Sequence, residues 1–159
     1  MSFNPELCRG WPIEGMYEPL EARGPDDARF LVVTDVPSQA SARDDRLMTV
    51  HQMKMLGGKL NAQGFPKEDF RFTPACHCAY DPNEHVTKVK TAALKQCRQH
   101  FLAEVESHNY EAILPLGAQA ATQAFGRATK ITKVRGIIGE SEEFDAKLFP
   151  LMSPAVVVM

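Results

Sequence analysis

The chain has 159 residues, 44% of them hydrophobic and 24% charged, with a formal net charge of −2. That is enough apolar side chain for one domain with its own core, while no apolar run approaches the roughly 20 residues a membrane span needs. The near-neutral balance excludes a strong overall field for polyanions, so a nucleic-acid contact has to be a local patch.

Met1 to Glu6 lacks the basic and apolar regions of a signal peptide, which makes the cytoplasm the default compartment. Arg29 to Thr34 is an apolar run suited to a buried parallel strand. Ala42-Arg43-Asp44-Asp45-Arg46 reads as a solvated loop. From Arg46 to Gln63, Leu47, Val50, Met53, Leu56 and Leu60 recur at helical spacing, Gly57-Gly58 weakens the pattern, and Gly64 stands at a C-cap position. Phe70 to Ala75 reads as a second strand in spite of Pro74, and Val86 to Ser107 as a long amphipathic helix with Val89, Ala93, Cys97, Phe101 and Val105 on one face. Ala112 to Leu116 is a third strand, followed at Gly117 by a short helix, Ala118 to Phe125. Ile137-Ile138-Gly139 and Phe144 to Met152 suggest a hairpin and a fourth strand around the solvated run Glu140 to Glu143.

This alternation predicts a three-layer α/β/α domain over residues 1–159, with a central, mainly parallel four-stranded sheet. Val156-Val157-Val158-Met159 is an apolar run with no polar finish, so the chain is expected to be the amino-terminal domain of a longer protein.

In such sheets the loops at the carboxyl ends of strands build the ligand crevice. Thr34-Asp35-Val36-Pro37-Ser38 and Ser153-Pro154-Ala155 are loops of this kind and are expected to face each other across one site. Two readings stay open for each: Asp35 as a site carboxylate or as the cap of a turn, and Ser153 as a ligand contact or as a turn former. Cys8, Cys76, Cys78 and Cys97, with no secretion signal, point to metal binding or plain burial rather than disulfides. Cys76 and Cys78 lie two apart, on one side of an extended segment. His51, His77, His85, His100 and His108 show no ligand-like spacing and most of them read as surface residues, with His77, between two cysteines, placed to sit near a cluster.

Four ordered segments carry a resemblance along almost the whole chain. Leu116-Gly117-Ala118-Gln119-Ala120-Ala121 is similar to the Leu-Gly-x-x-Ala-Ala turn of the family 4, iron–sulfur uracil-DNA glycosylases, and Ile131-Thr132-Lys133-Val134-Arg135-Gly136 matches the segment that follows it there. Asp35-Val36-Pro37-Ser38 stands at the Glu-Ala-Pro-Gly position, and Ser153-Pro154-Ala155 at the His-Pro-Ser or His-Pro-Ala position. The family includes relatives fused to phage DNA polymerases.

The resemblance implies a uracil-DNA glycosylase-like fold and specific roles. Asp35 takes the place of the water-positioning carboxylate, and Ser153 that of the histidine donor to the leaving base. Val36, Pro37, Met48 and Pro74 fall around the base pocket, where Met48 replaces a stacking ring and Pro74 a base-reading asparagine. Losing one donor to a developing anion typically costs about 100- to 1000-fold in rate. The implied function is therefore a degenerate glycosylase-like domain of a DNA replication or repair protein, a phage DNA polymerase above all. It would bind single-stranded or damaged DNA, or the rest of a polymerase chain, in the host cytoplasm where phage-encoded. The alternative is an active glycosylase in which Asp35 positions water. Lys130, Lys133, Arg135 and Ser153 would face DNA. The family's [4Fe–4S] cluster would fall to Cys8, Cys76, Cys78 and Cys97, with Trp11 standing where one family ligand would be. A zinc ion in the same thiolates, or thiols packed as small hydrophobes, are the other readings.

Overall fold

The computed structural model describes Glu6, residues 18–79 and residues 86–155. The chain runs β1 (Phe30–Thr34), α1 (Gln39–Arg43), α2 (Val50–Ala62), a 3-10 turn (Lys67–Asp69), β2 (Phe70–Pro74), α3 (Val86–Glu106), β3 (Ala112–Pro115), α4 (Ala118–Phe125), α5 (Ile131–Val134), β4 (Gly139–Glu140) and β5 (Lys147–Leu148). The sheet order is β2-β1-β3-β5-β4. All neighbours are parallel except β4, which pairs antiparallel with β5. The four expected strands are therefore β1, β2, β3 and β5, and the hairpin adds a fifth, two-residue strand at the edge.

The two-residue period of the strands divides the apolar side chains between two faces. Leu31, Val33, Ile113 and Leu148 pack with Ala93, Cys97, Phe101 and Val105 of α3 and with Ala120 and Ala124 of α4. Val32 and Leu116 face the other way, among Met48, Phe70 and the partly buried Leu56 and Leu60 of α2. Helices thus cover both faces. The side chain of Val89, expected on the same face of α3, lies outside the described residues, as do Cys8, Trp11, His85 and Val156 to Met159.

Local chemistry moves some boundaries from their sequence-based positions. Helix α2 starts at Val50 rather than Arg46 because Thr49 caps it: the Gln52 amide donates to Thr49 Oγ1 at 3.2 Å, and the Thr49 amide donates to Gln52 Oε1 at 3.0 Å. Although its apolar residues keep helical spacing, no residue of α2 is buried. The short helices α1 and α5 have no counterpart among the elements expected from sequence. Ser38 caps α1 by accepting from the Ser41 amide at 3.0 Å.

The segment Phe144 to Met152 contains only two residues of regular strand. Beyond Leu148 the pairing goes on, with the Phe149 amide donating to Ile113 O at 2.8 Å and the Leu151 amide to Pro115 O at 2.9 Å. Pro150 has no amide to donate and occupies the intervening position, where its carbonyl accepts from the Gly136 amide at 2.9 Å. This extension carries Ser153 to the carboxyl end of the sheet.

Candidate functional site

The strand order reverses beside β1, which is flanked by β2 and β3. In open α/β sheets this is the switch point where ligands enter, at the carboxyl ends of the strands. Here the chain itself fills part of that place. Asp35 leaves β1, and its Oδ1 accepts from the Ala120 amide in the first turn of α4 at 3.1 Å. The next amide, of Val36, donates to Gln119 Oε1 at 3.1 Å. A carboxylate on a helix amino terminus meets amides that have no partner within the helix, and the helix dipole favours it. Gly117 makes this approach feasible: its φ is +104°, and a Cβ there would collide with the Asp35 carboxylate. Its amide also donates to Leu151 O at 2.9 Å, so Gly117 joins the Asp35 loop to the strand extension that leads to Ser153.

The other residues assigned to the site fall close around it or beneath it. Ser153 is half-buried, and its Oγ accepts from the Ala155 amide at 3.3 Å, which makes it a local turn former in this arrangement. Val36 and Pro37 are buried, Val36 within the α3-side core. Pro74 ends β2 fully buried, in register with Thr34. Met48 packs on Val32, Phe70 and Leu116, and also walls a cavity of about 440 Å³ with Arg23, Arg46 and Phe72. That cavity is bounded by neither Asp35 nor Ser153.

Lys130, Lys133 and Arg135 are all exposed. They bracket α5, and the turn after it is tied to the Ser153 strand by the bond from Gly136 to Pro150. The same turn exposes Ile137 and Ile138, at 61% and 60% of their surface. A rim of three cations and two adjacent apolar side chains therefore stands beside the strand that leads to the second signature loop.

Cys76, Cys78 and Cys97 are buried in one core with Ala75, Ala93 and Phe101. The Cys97 thiol donates to Cys76 Sγ at 3.3 Å, and this bond together with burial holds the Cys76 pKa well above its ordinary value. The donor chemistry suits a thiolate-binding metal, because binding would remove those protons. The spacing is that of protonated thiols. Two sulfurs on one tetrahedral zinc, with Zn–S near 2.3 Å, stand roughly 3.8 Å apart, and a four-iron cluster puts each thiolate on its own iron. Among the described residues no three His, Cys, Asp or Glu side chains converge to hold an ion. The pair would have to open to receive either group, and the fourth expected ligand, Cys8, lies outside the described residues.

The histidines correct the sequence reading. His51 is exposed, but His77 and His100 are buried, with ring centroids 5.4 Å apart. His77 Nδ1 donates to the Leu20 carbonyl, and burial pushes its pKa down to about 4. Burial also lowers that of His100. A second feature missed in the sequence is the buried ion pair of Arg71 and Glu104, with Nε to Oε1 at 2.6 Å and the Tyr110 hydroxyl donating to the same oxygen at 2.7 Å.

Comparison with known proteins agrees with this architecture. A family model described as the uracil DNA glycosylase superfamily matches residues 21–159. A DNA polymerase of Bacillus phage SP01 is 28% identical over 142 residues, covering 89% of this chain and 15% of that protein. The chain therefore spans well under two thirds of the length of that curated relative.

Proposed function

This chain belongs to the uracil DNA glycosylase superfamily, and from that premise we propose that it is a degenerate, DNA-binding member that no longer excises uracil. The observation that carries this reading is the Asp35 carboxylate, one oxygen of which is taken up by the amino terminus of α4. Excision needs a base flipped out, gripped on its edge and relieved of its developing charge. Here Pro74 offers no edge-reading amide, Met48 is packed into the core, and Ser153 cannot carry a positive charge.

DNA binding rests on the exposed rim of Lys130, Lys133 and Arg135 beside the Ser153 loop. Cations of this kind hold phosphates in place without reading sequence, and the exposed Ile137–Ile138 pair supplies an apolar contact of the sort that packs against unstacked bases. The polymerase relative supports the further reading that the domain works as part of DNA replication or beside it.

The deciding experiment pairs a base-release assay on uracil-containing single strands with anisotropy titrations at several salt concentrations. We expect no free uracil, and a log K versus log salt slope that falls by about 2 when Lys130, Lys133 and Arg135 are all changed to Ala, from roughly 0.7 per single-strand phosphate contact. Release of uracil dependent on Asp35 would replace this reading with the active-glycosylase one. Absence of DNA affinity would leave a protein-interaction module.

Cys8, Cys76, Cys78 and Cys97 are proposed to hold a [4Fe–4S] cluster that ties the amino-terminal segment to α3. The support is that Cys97 of α3 is buried in one core with Cys76 and Cys78 of the segment after β2. Anaerobically purified protein should carry about four iron and four sulfide per chain. Protein without metal would assign the thiols to packing, and one zinc per chain would assign them to that ion.

A further inference from the structure

Helix α2 leaves part of its apolar side uncovered. It buries none of its residues, and Val50 and Met53 are 46% and 39% exposed. Between α2 and β2 lies the cavity of about 440 Å³ walled by Met48. A second cavity, of about 490 Å³, shares Met53, Lys54 and Phe72 with the first and runs on past Leu56 and Leu60. We propose that this groove along α2 docks an acidic amphipathic segment of a protein partner. Neither cavity is lined by Lys130, Lys133 or Arg135, and the DNA-binding reading does not require the groove.

Charge selects the sign of the partner. From Arg46 to Lys67 the sequence holds Arg46, Lys54, Lys59 and Lys67 and no acidic residue, in a chain whose net charge is −2. All of these cations are exposed, and among the described residues none of them is ion-paired. Arg46 and Lys54 line the first cavity, where the remaining cation, Arg23, is already held by Asp45. Glu68 is the one acid in either lining, and it adjoins Lys67. A local surplus of this kind attracts a partner of opposite sign and sets its register.

Chemistry narrows the choice further. Apart from its cations, the first cavity is lined by Leu47, Met48, Val50, Met53 and Phe72. Its side chains thus bring hydrogen-bond donors and hydrocarbon, and no oxygen. A nucleobase entering it would leave its own donors without side-chain acceptors. A carboxylate next to an aliphatic or aromatic side chain leaves nothing unmatched. The groove also has length: from Val50 to Leu60 α2 rises about 15 Å, which matches about three turns of a partner helix laid alongside.

The test titrates a labelled synthetic helical peptide, with leucine and phenylalanine on one face and glutamate on the other, and reads anisotropy at fixed salt. Saturable one-to-one binding is expected, with counterparts carrying glutamine or lysine in place of glutamate weaker by about tenfold or more. Arg46→Glu combined with Lys54→Glu should lose the glutamate peptide and gain the lysine one. Its Tm should not move, since both side chains are exposed. Val50→Ser combined with Met53→Ser should weaken the glutamate peptide roughly tenfold. Changing Lys130, Lys133 and Arg135 to Ala should leave it unaffected, which separates this groove from the DNA rim whatever becomes of the DNA reading. Absence of saturable peptide binding overturns the proposal, as does binding indifferent to the α2 variants. Oligothymidylate or phosphatidylglycerol vesicles held more tightly through Arg46 and Lys54 would also overturn it, and would assign the groove to nucleic acid or to a membrane surface.

Discussion

Asp35 has an architectural part that reaches across the fold. Its Oδ1 bond to the Ala120 amide makes it the cap of a helix more than eighty residues away in sequence. Asparagine caps about as well as aspartate, whereas alanine loses about 1 kcal/mol. Denaturant unfolding should therefore find Asp35→Asn close to the parent and Asp35→Ala about 1 kcal/mol less stable. A large loss for Asp35→Asn would mean that the charge, not the cap, is what the fold uses. Arg71 belongs to the same scale. Its partner Glu104 is only 6% exposed, and stranding a buried carboxylate costs about 3–5 kcal/mol. Arg71→Met should lower stability by that amount, measured by the same method. Neither role is visible in sequence: Asp35 left two readings open, and Arg71 attracted no notice, because both partners come from distant segments.

Helix α2 is held by its ends and its flanks more than by burial. Its capping box at Thr49 and Gln52 accounts for its starting point, and Thr49→Ala should cost about 1 kcal/mol. Gly57 and Gly58 lie inside the helix with nothing within 4 Å of where a Cβ would stand. Glycine costs a helix interior up to about 1 kcal/mol relative to alanine. The double change Gly57→Ala, Gly58→Ala should raise stability by about 1–2 kcal/mol in thermal unfolding. A loss instead would show that the chain's own packing around α2 needs the glycines. The helical period of α2 was legible in sequence, as were β1, β3, α3 and α4 to within a residue or so. Its shallow burial was not, since periodicity says which face is apolar but not how deeply a neighbour covers it. The same limit explains His77 and His100, which carry no pattern that separates a buried imidazole from an exposed one.

For the whole molecule, pH should reveal the polar region between β2 and α3. Burial lowers the pKa of His100 below the ordinary 6.5, so the unfolded chain takes up its proton first as pH falls. Stability from this group is complete above pH 6.5 and is lost below it. Burial, then the bond to Glu104, raises the pKa of Tyr110 above the ordinary 10, so the unfolded chain ionises first as pH rises. Unfolding free energy should be highest between about pH 7 and pH 8 and fall on both sides, the buried Cys76 thiol beginning the alkaline fall because it too ionises first in the unfolded chain. The acid limb should be shallower in His100→Asn and the alkaline limb in Tyr110→Phe. Limbs unchanged in both variants would place the titrating groups elsewhere.

The alternation of apolar runs and helical periods by itself determined an α/β sheet with helices on both faces, and the ordered segments from Asp35 to Ser153 pointed to the family and to the end of the sheet where a site would lie. Those features are local in sequence: strand period, helix period, turn residues. Only the tertiary structure decided that Asp35 caps α4, that Cys76 and Cys97 share a hydrogen bond, and that Arg71 pairs with the buried Glu104. Each of these depends on segments brought together by the crossing from β2 over β1 to β3, and contacts across that crossing leave no periodic trace along the chain.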